Sequence, residues 1–265
     1  MTAAEIKKTL QREFVHTLRK PFVDAVKEYG LVQPGDKIAV CISGGKDSML
    51  LALLLQDLQH TMEFGLVFLA MDPGYAPEGR RQLEENAARL AIPLEIFETD
   101  VLRIAGSHAA AHPCFLCAKM RRGYLYTEAQ KRGCNKIALG HHYDDAIGTV
   151  LMGLLYGGQV QAMLPRVRSK NYEGMELIRP LYLTREQSVS DWAAYCGLTF
   201  LPCDCPAKKL ESDTKRAEIK QLIASLAAKN PQIEANLFNA VKNVDTAKLL
   251  GWRDRDGRHS FLDTF

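Results

Sequence analysis

Residues 37–48 read Lys-Ile-Ala-Val-Cys-Ile-Ser-Gly-Gly-Lys-Asp-Ser, and this stretch decides the fold. The apolar run Ile38 to Ile42 has the length and β-branched content of a buried strand. It opens directly into Ser43-Gly44-Gly45-Lys46-Asp47-Ser48, and the next apolar run, Met49 to Leu55, is free of turn residues and reads as a helix. A glycine turn between strand and helix gathers backbone N–H groups and the positive end of the helix dipole around an anion. Gly44 and Gly45 permit close backbone approach, Ser43 and Ser48 carry hydroxyls, and Lys46 carries charge. The stretch is a phosphate site.

Two common phosphate loops are excluded. The kinase-type loop, Gly, four residues, then Gly-Lys-Ser/Thr, is absent, and so is the dinucleotide fingerprint with three spaced glycines. The string Ser-Gly-Gly-Lys-Asp-Ser instead resembles the signature of the PP-loop ATP pyrophosphatases. That resemblance implies cleavage of ATP between its α and β phosphates, with AMP placed on a substrate oxygen.

Working outward, the first two thirds alternate strand and helix. Strands are expected at 37–42, 64–71, 94–98 and 136–140, with a weaker one near 176–181. Helices are expected at 47–59, 77–91, 115–132 and 143–156. Such alternation implies an α/β fold, a Rossmann-like parallel sheet with helices on both faces. From Thr184 the pattern turns helical, at 184–197, 208–229 and 231–249. The first thirty residues read as one helix with an apolar stripe at Ile6, Leu10, Phe14, Leu18 and Phe22, beside a basic face of Lys8, Arg12 and Arg19. The expected divisions are an N-terminal helix over 1–30, the nucleotide-binding α/β domain over 31–183 and a helical C-terminal part over 184–265.

Composition narrows the class. A chain of 265 residues can bury one large core, and its net charge of +3 names no partner. No apolar stretch is long enough to cross a membrane and no signal-peptide core is seen, so a cytoplasmic protein is expected. Seven cysteines, an odd number, argue against a secreted disulfide framework.

Chemistry collects at two further places. In Pro113-Cys114-Phe115-Leu116-Cys117, two thiols enter a helix; such a pair binds a metal, binds a cluster or cycles as a disulfide. A structural zinc needs a second pair, and Cys203-Asp204-Cys205 has awkward spacing for one; three thiolates on a cubane cluster fit better. At Leu139-Gly140-His141-His142-Tyr143-Asp144-Asp145 a strand opens into a helix, which puts the segment at the carboxyl edge of the sheet beside the phosphate loop. Asp144 and Asp145 there hold Mg²⁺ or position a reacting group, or they only complement the helix dipole. Asp72, ending the second strand, either faces the nucleotide or closes the Pro73-Gly74 turn.

Taken in order, the phosphate loop, Pro-Cys-x-x-Cys with Ala118-Lys119-Met120-Arg121-Arg122-Gly123, Gly-His-His-x-Asp-Asp, Tyr156-Gly157-Gly158, Arg179-Pro180-Leu181 and the Pro-Cys-rich segment 202–206 resemble the tRNA 2-thiocytidine synthetase family. The resemblance implies an enzyme that activates a tRNA pyrimidine with ATP and Mg²⁺ and replaces its C2 oxygen by sulfur, using a [4Fe–4S] cluster on three cysteines. It assigns the cluster to Cys114, Cys117 and Cys205, with Cys203 as the alternative third ligand. It assigns the nucleotide to Ser43, Gly44, Gly45, Lys46, Asp47, Ser48, Met71, Asp72, Gly140 and His141, and catalysis to Lys46, Asp47, Asp144, Asp145, Cys114 and Cys117. Lys119, Arg121, Arg122, Arg166, Arg168 and Lys170 become RNA backbone contacts, while Tyr156 either shapes the catalytic floor or simply ends a helix. The implied partners are tRNA and a sulfur donor such as a cysteine desulfurase, with a homodimer as the oligomer. Cytidine is favoured over uridine. Other readings are a PP-loop enzyme acting on a small molecule and a non-catalytic nucleotide and cluster sensor.

Overall fold

The computed structural model describes residues 1–74, 77–99, 113–200 and 211–264, with the side chains of 113–119, 211–214 and 264 outside the description. Contacts divide the chain into a unit of residues 1–146 and 164–215 and a unit of residues 147–163 and 216–265.

The first unit holds a six-stranded sheet. Its strands are β1 (Lys37–Ile42), β2 (Gly65–Asp72), β3 (Leu94–Glu98), β4 (Lys136–Ala138), β5 (Arg166–Arg168) and β6 (Glu176–Ile178), in the spatial order β3-β2-β1-β4-β6-β5. All pairings are parallel except β5 on β6, an antiparallel edge. β1 lies at the centre, buried from Ile38 to Ile42. The helix that follows it, α3 (Lys46–Leu58), is buried without interruption from Ser48 to Leu55, so its apolar run reflects enclosure rather than an amphipathic face. The remaining helices of this unit are α1 (Ala3–Gln11), α2 (Lys20–Glu28), α4 (Pro77–Arg89), α5 (Pro113–Lys131), the start of α6 (Tyr143–Gly157), α7 (Glu186–Tyr195) and the start of α8 (Glu211–Lys229). The chain winds outward from β1 through β2 to β3, then returns to β4 on the other side. The order therefore reverses between β1 and β4, which opens a crevice at the carboxyl ends of those two strands.

Several sequence expectations need correction. The first thirty residues are not one helix: α1 and α2 are separated by a π-helical turn, Val15–Arg19. An apolar spacing of four drifts by about 40° per step on a helix of 3.6 residues per turn. A wider turn re-phases it, which keeps Ile6, Leu10, Leu18 and Phe22 all buried. Of the basic face, Arg19 is bound to Asp57 at 2.7 Å. The fourth strand ends at Ala138, two residues early, because Leu139-Gly140 turn toward the phosphate loop.

The amino edge of the sheet is closed by ions. Lys136, 2 % exposed, donates to Asp36 at 2.6 Å and to the Leu31 carbonyl at 3.1 Å, and Asn135 also donates to Asp36. Glu176 lies 3.7 Å from the same ammonium and is gripped by Arg166, whose guanidinium also donates to the Gly30 carbonyl. Arg166 is thus a structural clamp on the 30–36 connection. Lys136→Met is expected to lower stability by about 3–5 kcal/mol, because Asp36 would be left buried without its cation. Burial pushes the Asp36 and Glu176 carboxyls up, but the cations bonded to them more than offset it, so both sit below the ordinary range. Their contribution is present above the unfolded carboxylate pKa and is lost as pH falls through the lowered values. Thermal melts from pH 7 into acid check both statements: the wild-type midpoint falls below about pH 4.

The second unit contains the rest of α6 and α8, α9 (Ile233–Ala240), a 3₁₀ turn (Thr246–Lys248) and a hairpin of β7 (Gly251–Arg253) and β8 (Arg258–Ser260). The helix expected over 231–249 stops at Ala240. Within this unit Tyr156 is exposed and its hydroxyl donates to Glu218 at 2.5 Å, while Gly158 takes the left-handed conformation (φ +57°) that ends a helix. Tyr156-Gly157-Gly158 is a helix terminus. Trp252 stacks on His259 across the hairpin, at 5.0 Å between ring centroids.

Candidate active site

β1 delivers the chain at Ile42 into a turn built by two serines and two glycines. Gly44 has φ +83°, where a side chain is strained, and extended Gly45 caps α3. Ser48 Oγ accepts from the Ser43 N–H and from Ser43 Oγ, each at 3.1 Å, and donates to the Gly45 carbonyl at 3.0 Å. Ser48 therefore knits the turn and is itself buried. The N–H groups of Lys46, Asp47 and Ser48 lie in the first turn of α3, where no helical carbonyl precedes them. Together they form an anion cradle at the positive end of a helix.

Lys46 stands beside the cradle between two carboxylates. Its Nζ is 3.3 Å from Asp47 and 3.5 Å from Glu186. Asp47 Oδ1 is buried with no hydrogen-bond partner among the described residues. An oxygen in that state fits a cation brought in with a nucleotide.

The second wall follows β4. A Cβ on Gly140 would stand 3.1 Å from the backbone carbon of Asp47 and from the amide nitrogen of Ser48. The Gly-His-His segment and the phosphate loop therefore touch backbone to backbone, as the sequence places them. His141 follows at this edge, and the His142 N–H donates to Asp145 at 3.0 Å. Asp144 accepts from the Glu186 N–H at 2.7 Å and pairs with Arg185 at 3.3 Å, and Arg185 lies over the Tyr143 ring. Asp144 fastens the start of α7 to the site, while Asp145 keeps a side chain 40 % exposed. Among the described residues no three His, Cys, Asp or Glu side chains form a ready metal site. Mg²⁺ commonly binds one or two carboxylates plus substrate phosphates, so Asp47 and Asp145 suit it only together with a nucleotide.

Arg185 and Glu186 were missed in the sequence. An acidic residue opening a helix is ordinarily a dipole partner, and nothing local marks Glu186 as a neighbour of Lys46.

On the other side of β1, Met71 and Asp72 end β2 and are buried. Asp72 accepts from the Gly74 N–H at 2.8 Å, as a turn residue does, and its other oxygen lies 3.4 Å from Arg80. A cleft of about 460 Å³ is lined by Asp72, Gly74, Glu98 and Thr99. It opens at the carboxyl ends of β2 and β3.

Cys41, Cys134 and Cys196 are free and buried. Burial pushes the Cys41 thiol up to about 12 and raises the other two, so all three stay protonated and act as small apolar groups. Four of the seven cysteines then remain as candidate ligands. Cys114 and Cys117 lie three residues apart near the start of α5; their side chains, like that of Lys119, are outside the description. Cys203 and Cys205 also lie outside the described residues.

A phosphate cradle at the reversal point of a doubly wound sheet, built from Ser-Gly-Gly-Lys-Asp-Ser, defines a PP-loop nucleotide-binding protein. Residues 7–225 match the family model of the PP-loop domain. The tRNA-cytidine(32) 2-sulfurtransferase of Anaeromyxobacter dehalogenans is 32 % identical over 94 % of this chain and 87 % of its own length. The enzyme of that name from Coxiella burnetii is 33 % identical over 92 % of this chain and 94 % of its own. Among solved structures, the U34-tRNA thiolase NcsA from Methanococcus maripaludis, with its [4Fe–4S] cluster, aligns at TM-score 0.69 and 19 % identity, covering 86 % of this chain and 79 % of NcsA. The chain belongs to the PP-loop family, in the group that holds these tRNA sulfurtransferases.

Proposed function

We propose that this protein is an ATP-dependent tRNA sulfurtransferase that converts a cytidine to 2-thiocytidine. One observation carries the reading: the cradle of residues 43–48 and the Gly140–Asp145 segment meet across the sheet crevice, in a chain similar to such enzymes over nearly its whole length.

A pyrimidine C2 carbonyl is a poor leaving group until it is esterified. The cradle and Lys46 hold the β and γ phosphates, which leaves the α-phosphorus open to the base. The O2 of the base attacks it, pyrophosphate departs into the cradle, and the base is left as its O-adenylate. Sulfide then adds at C2 and AMP leaves with the original oxygen. Asp47 and Asp145 would hold Mg²⁺, which offsets phosphate charge. Cys114, Cys117 and Cys205, or Cys203 in place of Cys205, would hold a [4Fe–4S] cluster, which would supply the chemistry of sulfide delivery. Met71, Asp72, Gly140 and His141 flank the nucleoside.

A cysteine desulfurase or another sulfide source completes the cycle, in the cytoplasm. Among the described residues no helix is long and apolar enough to cross a membrane. Exposed Leu154, Leu155 and Val160 in the second unit support a homodimer.

The experiment is product analysis with labelled ATP. Equal amounts of AMP and pyrophosphate are expected over many turnovers with tRNA and sulfide present, and neither without tRNA. ADP and inorganic phosphate in their place would contradict the cleavage proposed.

A further inference from the structure

Arg179 follows β6 directly, and the Ile178 carbonyl accepts from the Leu139 N–H, so Arg179 stands at the carboxyl edge next to the Gly140–Asp145 segment. It is partly buried, one of its terminal nitrogens donates to the Leu164 carbonyl, and its Nε is buried with no hydrogen-bond partner among the described residues. Arg121 Nε, on α5, is in the same state. Arg122, the next residue of α5, is exposed. No carboxylate forms an ion pair with any of the three among the described residues, although nearly every other partly buried arginine has one, as Arg19, Arg132 and Arg166 do.

The largest charged influence on Arg179 is another cation. Burial first, and then the Arg122 guanidinium, lower its pKa to about 10, with Asp145 only a weak counterweight. Like charges gathered at a half-buried place without a counter-ion are unfavourable. The arrangement becomes favourable when an anion joins it, and planar guanidinium forks fit phosphate oxygens better than any other common group.

We propose that Arg179 and Arg122 form a binding site for a backbone phosphate of the substrate RNA, beside the target nucleoside; this rests on the tRNA reading above. The alternative source of phosphate is ATP, and topology argues against it. The cradle for the triphosphate lies at the end of β1, and the cleft lined by Asp72 and Thr99 lies on the β2 side. Arg179 lies the other way, two strands from β1, on the order of 10 Å at ordinary strand spacing. Arg122 shares α5 with Cys114 and Cys117, so a phosphate held here is registered against the helix that carries the cysteine pair.

The test uses the full-length protein, unmodified tRNA and a salt series, with ATP affinity measured separately. Arg122→Gln is expected to weaken tRNA binding about tenfold, as loss of a charged bidentate contact does, and to reduce the slope of log K against log salt by about 0.7–0.9. ATP affinity stays within twofold. Arg179→Lys keeps the charge but loses the fork and is expected to fall between wild type and Arg122→Gln. Because Arg122 is exposed and makes no hydrogen bond among the described residues, its variant folds and carries the test if Arg179 variants do not. Unchanged tRNA affinity and slope in Arg122→Gln overturn the site, and so does weakened ATP binding with tRNA binding intact. Wild-type protein that fails to bind tRNA at low salt overturns instead the functional reading on which the site rests.

Discussion

Anaerobically purified Cys117→Ala protein is expected to hold no [4Fe–4S] cluster, and its 2-thiocytidine formation is expected to fall by roughly 100-fold or more, beyond the loss typical of disturbing a ligand's surroundings alone. Cys114→Ala should behave the same way. The contrast is Cys134→Ala, which removes a buried thiol packed with Ala39, Leu69 and Ile137. It costs about 1 kcal/mol of stability, as an ordinary core truncation does, with iron content and activity retained. Iron content and the absorbance of the cluster, read beside activity on the same preparations, check all three variants. The other four cysteines are the thiols left to bind iron once Cys41, Cys134 and Cys196 are assigned to packing. Iron retained in Cys117→Ala, or lost in Cys134→Ala, would reverse that division.

Gly140→Val is expected to reduce the rate about 100-fold with the sheet intact, since a misplacement near 1 Å in a reacting geometry has that order of effect. The new Cβ would meet the backbone of Asp47 and Ser48 at 3.1 Å, and backbone at a helix start cannot swing aside as a side-chain tip can. The phosphate loop has to move. Overpacking of this kind costs about 1–3 kcal/mol in stability, so a folded protein is retained. A kcat loss with an unchanged circular dichroism spectrum is the expected result. Gly140→Ala, with the same Cβ and no further bulk, should give a smaller loss in the same direction.

The centre of the fold was legible because its signals are local. An apolar strand, a glycine turn and an apolar helix occupy adjacent residues from Lys37 to Leu58, and the structure follows them almost residue for residue. Gly140-His141-His142 was legible for the same reason. What escaped depends on contacts far apart in the chain. Arg166 looks like a solvated charge until Glu176 and Gly30 are folded against it. Glu186 looks like a helix-dipole residue until Lys46 stands beside it. Three-residue strands such as β5, β7 and β8 are too short to show alternation, and pairing alone creates them. The π-helical turn at Val15–Arg19 escaped because a regular spacing of four looks like an unbroken helix, although it fits a straight one poorly. Asp144 and Asp145 were correctly placed at the sheet edge. Their division of labour, one fastening α7 and one exposed, depends on where Arg185 arrives.

The most direct test of sulfur transfer to cytidine is mass spectrometry of nucleosides from unmodified tRNA incubated anaerobically with cluster-loaded protein, ATP, Mg²⁺ and sulfide. The account predicts 2-thiocytidine that requires ATP, at the position numbered 32 in the names of the relatives. 2-Thiouridine without 2-thiocytidine, or no thiolated nucleoside from protein that binds ATP and tRNA, would contradict it.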